Sequence, residues 1–277
     1  MKVLKVHSLF IALTLSVMSI SLTSCFDSES ENTIDGQGFV LVENSLYGGT
    51  YFEDVNGNTY YPTSASLISM QAAGFEPSST KLAFIQYKLA KEVPVTKADT
   101  PKTPQSYNIE LLYAASFDGA PVRTLADEAE MEAQVPETAP VISLEPVIGN
   151  NYGSSTYVPI FYNANILMLP VLYYMRNNSD MLKEHKLSLV FLTDVSKDAD
   201  DLVLYLSLDK GEDNSIEYKN LSYAGYDLTA ALNIFSMKTM GKKPQRVIIK
   251  AHISDINTDL PEDYEDYTLD YTKVDAE

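Results

Sequence analysis

Short apolar runs broken by turn residues set the rhythm of this chain. "GFVLVE" (38–43) reads as a first strand. In "GTYFEDVNGNTYYPT" (49–63) two aromatic, β-branched arms flank Asn56-Gly57, a dipeptide whose tolerance of positive φ suits a tight hairpin. "KLAFIQYKLA" (81–90) alternates apolar and polar residues as a half-buried strand does, and "SYNIELLYAASF" (106–117) resumes the pattern. Between them "KEVPVTKADTPKTPQ" (91–105), with three prolines, reads as an exposed loop.

The best helix candidate is "TLADEAEMEAQ" (124–134), where Thr124 and Asp127 have capping-box spacing and Pro136 supplies a stop. This helix and "PETAP" (136–140) form the expected domain boundary. Further strands are expected at 141–149, 156–162, 164–175, 186–195, 201–209 and 245–254, with "DYTLDYT" (266–272) as a terminal strand. Pro170 lies inside the most apolar of these runs and requires a bend, a bulge or an edge position. The stretch 226–245 fits either a short helix or an irregular strand. Short strands without long intervening helices predict an all-β molecule of sandwich or barrel type.

The first 24 residues stand apart. Lys2 and Lys5 precede an uncharged apolar run from Leu9 to Leu22, 14 residues long; a membrane-spanning helix needs about 20. That layout is a cleaved export signal. It ends in Leu22-Thr23-Ser24-Cys25, which resembles a bacterial lipobox, and Cys25 is the chain's single cysteine. Cys25 is therefore expected to carry a lipid anchor. Three acyl chains, at about 0.8 kcal/mol per buried methylene, give lasting membrane attachment. The alternatives are an ordinary signal with a stray cysteine, or an uncleaved anchor. Behind Cys25, "FDSESEN" carries Asp27, Glu29 and Glu31. This cluster resembles a surface-export signal of Bacteroidetes lipoproteins, and it equally suits a solvated, disordered tether over 25–36.

Charge narrows the partners. The net charge of −18 becomes −20 once Lys2 and Lys5 are removed, and no basic stripe offsets it. Nucleic acid and anionic lipid surfaces are repelled. One cysteine also leaves no internal disulfide, so the core alone must hold the fold.

The search for chemistry yields little. His185 and His252 are the histidines left after cleavage, each at a strand, and each reads as structural. Without a second cysteine no zinc site of the usual ligand set is expected, and no cofactor is implied. Ser154-Ser155 after Gly153 reads as a polar turn rather than a nucleophile elbow. Asp54, Asn56 and Asn58 alternate like a calcium loop but lack its sixth-position glycine and distal glutamate. Asp194, Asp198, Asp200 and Asp201 read as a charged turn; calcium binding, or glycosidase work by carboxyls about 5–9.5 Å apart, are the sharper alternatives. "PEDYEDYTLDY" reads as a loop entering an edge strand. No catalytic residue is assigned.

Taken together, the lipobox and tether, "YFEDVNGNTYYPT", "KLAFIQYKL", "YNIELLYAASF", "PVIGNNYGSSTYVPIFYNA", "HKLSLVFL" and "LVLYLSLDKGED" resemble the NigD-like lipoproteins of Bacteroidetes. The resemblance implies a small N-terminal OB-like barrel (37–135) followed by a C-terminal β-sandwich (136–277). It carries over no catalytic residue. The expected function is that of an outer-membrane-anchored, surface-exposed lipoprotein with a non-enzymatic binding role. Its partners are the membrane, through Cys25, and a glycan or protein, but no nucleic acid. A fimbrillin-like structural subunit is the alternative, weakened because residues 26–80 hold neither Lys nor Arg for a processing site. A surface glycan-active enzyme is a further alternative and requires convergent carboxylates.

Overall fold

The computed structural model describes residues 34–45, 49–90, 104–150, 153–178 and 182–274. Cys25, Asp27, Glu29 and Glu31 lie outside the described residues. The chain divides into two compact units, Met1–Asp118 and Gly119–Glu277.

The first unit contains β1 (Gly36–Ser45), β2 (Gly49–Glu53), β3 (Thr59–Pro62), helix α1 (Ser64–Ala72), β4 (Leu82–Leu89) and β5 (Ser106–Ser116). The strands close into a barrel in the order β1-β2-β3-β5-β4. β1 pairs antiparallel with both β2 and β4, while β3 and β5 form the parallel pair. A closed five-stranded barrel of this order, with a helix between its third and fourth strands, is OB-like. Strand alternation turns Val40, Val42, Phe52, Tyr60, Ala83, Ile85, Ile109 and Leu111 inward. Thr63 caps α1 by accepting the N–H of Ser66, and Leu67 and Met70 of the helix pack on the barrel core. Gly74, at φ +100°, lets the chain turn back so that Phe75 joins the same core.

The β2–β3 turn confirms the hairpin at Asn56-Gly57. Asp54 Oδ1 accepts the N–H groups of Asn56 and Asn58, each at 2.9 Å, and Oδ2 accepts from Asn58 Nδ2 and the Tyr60 hydroxyl. Gly57 adopts φ +76°. With four donors on its carboxylate, Asp54 is a turn organiser.

The second unit contains β6 (Arg123–Leu125), α2 (Glu128–Gln134), β7 (Val147–Asn150), β8 (Gly153–Thr156), β9 (Ile160–Asn163), β10 (Ile166–Met175), β11 (Lys186–Leu192), β12 (Asp201–Asp209), β13 (Tyr218–Asp227), α3 (Thr229–Lys238), β14 (Arg246–Ala251) and β15 (Glu265–Asp270). A three-stranded sheet, β13-β10-β9, faces a mixed five-stranded sheet, β15-β14-β12-β11-β6, and β7 and β8 form a separate hairpin. The sandwich core lies between the two sheets. Leu167, Leu169, Val171, Tyr173 and Met175 of β10 meet Leu202, Leu204, Leu206 and Leu208 of β12 and Val247, Ile249 and Ala251 of β14. α3 adds Ala231 and Phe235 to this core. On the outer side of the larger sheet, Val190 of β11 packs with Leu125, Met131 and Val135, so α2 forms a third layer there.

Several expectations need correction. The boundary at 135/136 falls too late, because β6 pairs parallel with β11 and α2 packs on Val190; both belong to the second unit. The helix begins after Asp127, whose Oδ1 accepts the N–H of Glu130, while Thr124 lies in β6. Ser154 and Ser155 lie in β8, paired to β7, rather than in a turn. The ambiguous stretch 226–245 contains α3. α1, β6 and β13 went unpredicted.

Pro170 meets its requirement through an edge. β9 pairs with β10 as far as Met168, and Leu172 N donates to Ser143 O. Alternation puts the Pro170 nitrogen on that same side, in the gap between the two, where no ladder bond is lost.

Candidate functional site

A cleft of about 520 Å³ opens on the outer side of the five-stranded sheet. Its floor is Leu192 at the end of β11 with Val203 and Tyr205 of β12. Odd-numbered β12 residues point outward because the even-numbered leucines fill the core. The start of α2, from Asp127 to Ala129, forms one wall, and the turn bearing Asp194, Val195, Ser196 and Ala199 forms the other. Asp201 and Lys250 complete the rim.

The rim charges fall into two groups. Asp201 binds Arg246 in bidentate fashion, Nε to Oδ1 at 2.8 Å and Nη2 to Oδ2 at 2.5 Å. Lys250 Nζ is held by Asp266 at 3.0 Å. Among the described residues no cation pairs with Asp127, Glu128 or Asp194. Glu128 Oε1 accepts the Tyr205 hydroxyl at 3.4 Å. Burial, then the charge of Glu128, raises the Tyr205 pKa.

Tyr205 connects the cleft to a second cluster. Its ring packs edge-on to Tyr264, which stacks on His252 at 3.9 Å between centroids. His252 Nδ1 lies 3.0 Å from Glu137 Oε1, both side chains being mostly buried. Burial pushes the Glu137 pKa up, and its hydrogen bond with His252 opposes that shift. Burial and the charge of Glu137 push the Tyr264 phenol up to about 12. A carboxylate orienting an imidazole supplies two of the three members of a nucleophilic triad. Among the described residues, however, no hydroxyl or thiol hydrogen-bonds His252 Nε2. The arrangement therefore fastens the segment after α2 to the end of β14.

The second histidine among the described residues is interior. His185 stacks on Tyr173, and its Nε2 lies 3.8 Å from Asp213 Oδ2. Asp213 in turn accepts the N–H groups of Arg176 and Ser215, and Asn220 donates to the Tyr173 hydroxyl at 2.7 Å. Among the described residues no group of three or more metal-ligating side chains is arranged to hold an ion.

Of the acidic turn expected between β11 and β12, Asp200 meets Lys242 at 3.4 Å and Asp201 meets Arg246, while Asp194 faces the cleft. "PEDYEDYTLDY" enters the edge strand β15, with Tyr264 and Tyr267 reaching Glu137 and Glu145. Period-two alternation would have put Tyr205 and Lys250 on outward faces. Their side-by-side register, Tyr205 to Lys250 across a parallel pair, spans 45 residues and has no local signal.

The barrel carries its own aromatic surface. Tyr51 of β2 and Tyr61 of β3 stack on its outside at 5.7 Å, with Glu43 opposite Tyr51 on β1. Tyr61 is 40% exposed.

No protein-family model matches the chain, and no curated protein does. Solved structures do. A protein of Bacteroides fragilis described as a candidate lipoprotein is 26% identical, over 85% of this chain and 97% of that one, with a TM-score of 0.61. A candidate toxin-related protein of Parabacteroides distasonis is 12% identical over 86% and 96%, with a TM-score of 0.50, and shows the fold alone. A NigD-like immunity protein of Bacteroides caccae is also among the similar structures, 11% identical over 87% and 100% with a TM-score of 0.47. The all-β build, OB-like barrel then sandwich, is the fold that the resemblance implies.

Proposed function

We propose that this protein is a lipoprotein of the outer membrane, anchored through Cys25 and presented at the cell surface, where it binds a partner without turning it over. The observation that carries this reading is the Bacteroides fragilis structure described as a candidate lipoprotein, matched over nearly its whole length. The lipobox-like Leu22-Thr23-Ser24-Cys25 supports the anchor, and Asp27, Glu29 and Glu31 support surface export. Binding is supported by two surfaces, the aromatic barrel face and the cleft; a glycan or a protein is the expected partner. The non-enzymatic reading draws on the duties already held by the cleft carboxylates: Asp127 caps α2, Asp201 clamps Arg246, and Glu128 accepts from Tyr205.

Replacing Cys25 with serine moves the protein from the membrane to the soluble fraction, and protease added to intact cells removes the body of the wild-type protein. Firm membrane attachment of Cys25→Ser defeats the anchor. A body untouched by protease in intact cells, yet digested after lysis, defeats the surface assignment.

A further inference from the structure

We propose that the C-terminal end of α3, residues 237–243, is a second membrane contact, whose methionines enter the bilayer interface while its lysines meet phosphate-bearing lipid headgroups. Three observations converge there. The first is charge. From Leu228 to Ser254 the chain has no Asp or Glu, although it holds 38 of them in all, and this stretch carries Lys238, Lys242, Lys243, Arg246 and Lys250. Arg246 and Lys250 are engaged by Asp201 and Asp266 on the larger sheet. Lys238, Lys242 and Lys243 are exposed at the helix end. Lys242 meets Asp200 at 3.4 Å, an exposed pair of little strength. The second is apolar surface. Met237 and Met240 are 75% and 77% exposed, while the inner face of α3 sends Ala231 and Phe235 into the sandwich core. The third is the backbone that presents them. Gly241 N donates to Ser236 O and closes the helix, which places Met240 at the left-handed position that glycine ordinarily fills. Its φ is +59°, and among the described residues no other non-glycine residue has a positive φ. Buried Thr239 fastens the turn, its hydroxyl donating to Phe235 O at 2.8 Å. Stability favours glycine at 240; instead a strained backbone holds a methionine out in water.

A bilayer surface uses both halves of this turn. Exposed apolar side chains beside lysines are the composition of interfacial segments, and each lysine close to an anionic leaflet adds to the attraction. Methionine, long and unbranched, adapts to a fluid boundary. A soluble phosphate compound would use the lysines and leave the methionines idle. The net charge of −20 led to the expectation that anionic lipid is repelled. Salt, however, screens charge beyond about 8 Å, so a leaflet pressed against the turn meets the lysines first, and this end of α3 is a local exception. The contact rests on the membrane address read from Cys25, because a chain already held at a bilayer needs only weak further attraction to dock.

Vesicle cosedimentation of the purified Cys25→Ser chain tests the contact without the anchor, so the two readings fail separately. Vesicles of phosphatidylglycerol and phosphatidylcholine in equal parts are expected to bind it about tenfold more tightly than pure phosphatidylcholine, with affinity falling as salt rises. Met237→Ser combined with Met240→Gly weakens that binding about tenfold, and so does the triple variant Lys238→Gln, Lys242→Gln, Lys243→Gln; thermal melts verify that both fold. Met240→Gly alone separates a docking residue from a structural one. Glycine suits φ +59° better than methionine does, so the melting temperature holds or rises while vesicle binding falls. No binding to the anionic vesicles, equal binding to both kinds, or full binding by the folded variants overturns the proposal. So does self-association that these variants abolish while vesicles stay unbound, an outcome that assigns the turn to a second copy of the chain.

Discussion

Asp54 shows how much one side chain contributes to the barrel. Its two oxygens take four donors between Asn56 and Tyr60, which fixes the β2–β3 turn and ties it to the tyrosines inside the barrel. Tyr60 stacks on Tyr107 and packs against Tyr87. Asn58 Oδ1 accepts the N–H of Gln105, joining the same turn to the approach of β5. Removing the carboxylate leaves several donors unmet at once. Asp54→Ala is expected to cost about 2–4 kcal/mol, read as a lowered urea midpoint. Asp54→Asn, which keeps an acceptor at Oδ1, should recover part of that loss.

Among the elements, β10 and α3 make opposite demands. At Pro170 no ladder partner is lost, so Pro170→Ala is expected to change stability by less than about 1 kcal/mol. Phe235 of α3 is fully buried in the sandwich core. Phe235→Ala opens a cavity there and should cost about 3–5 kcal/mol. Denaturant unfolding of the two variants side by side checks both numbers; a costly Pro170→Ala would mean that the amide N–H it introduces finds neither water nor an acceptor in that gap. These elements also show what was legible in the sequence. β4, β10, β12 and β14 announced themselves, because burial on one or both faces writes period-two or continuous apolar runs. α1 did not, since "SASLISMQA" mixes its apolar residues with serines and only Leu67 and Met70 reach the barrel. β13 was hidden because "YKNLSYAGYD" holds few aliphatic residues and depends on β10 for its register. The helix in "TLADEAEMEAQ" was visible, but its three-residue neighbour β6 is a strand only because β11 lies beside it.

Across the whole molecule, tyrosine takes the roles that tryptophan, absent here, often fills. Burial pushes the Tyr223 phenol up to about 12; burial and Glu137 do the same for Tyr264. Burial raises Tyr60, Tyr226 and Tyr267 further. Each folded-state pKa thus exceeds the ordinary value near 10. Above pH 10 the unfolded chain gives up phenolic protons that the folded chain keeps. Stability is therefore fully present below pH 10 and lost as pH climbs through 12. Melting temperatures across that window should fall steeply, with the phenolate absorbance of the buried tyrosines appearing only at the unfolding transition; complete ionisation of the phenols near pH 10 in the still-folded protein would contradict this. The candidate site was the least legible part at this scale. Asp194 and Asp201 drew notice as a charged turn, but the cleft joins that turn to α2 and to two parallel strands, and no local pattern encodes such a meeting.

The division after Asp118 also sets an order of assembly. Every strand of the barrel precedes that residue, so once Asp118 has emerged from a ribosome or translocation channel the barrel has all it needs to close. The sandwich must wait. β6 emerges early but pairs with β11, more than sixty residues later, and β12 needs β14 from near the end of the chain. Non-local parallel pairings of this kind are slow to form. An N-terminal barrel that closes first leaves fewer exposed strand edges during that delay, when unfinished chains are most prone to aggregate.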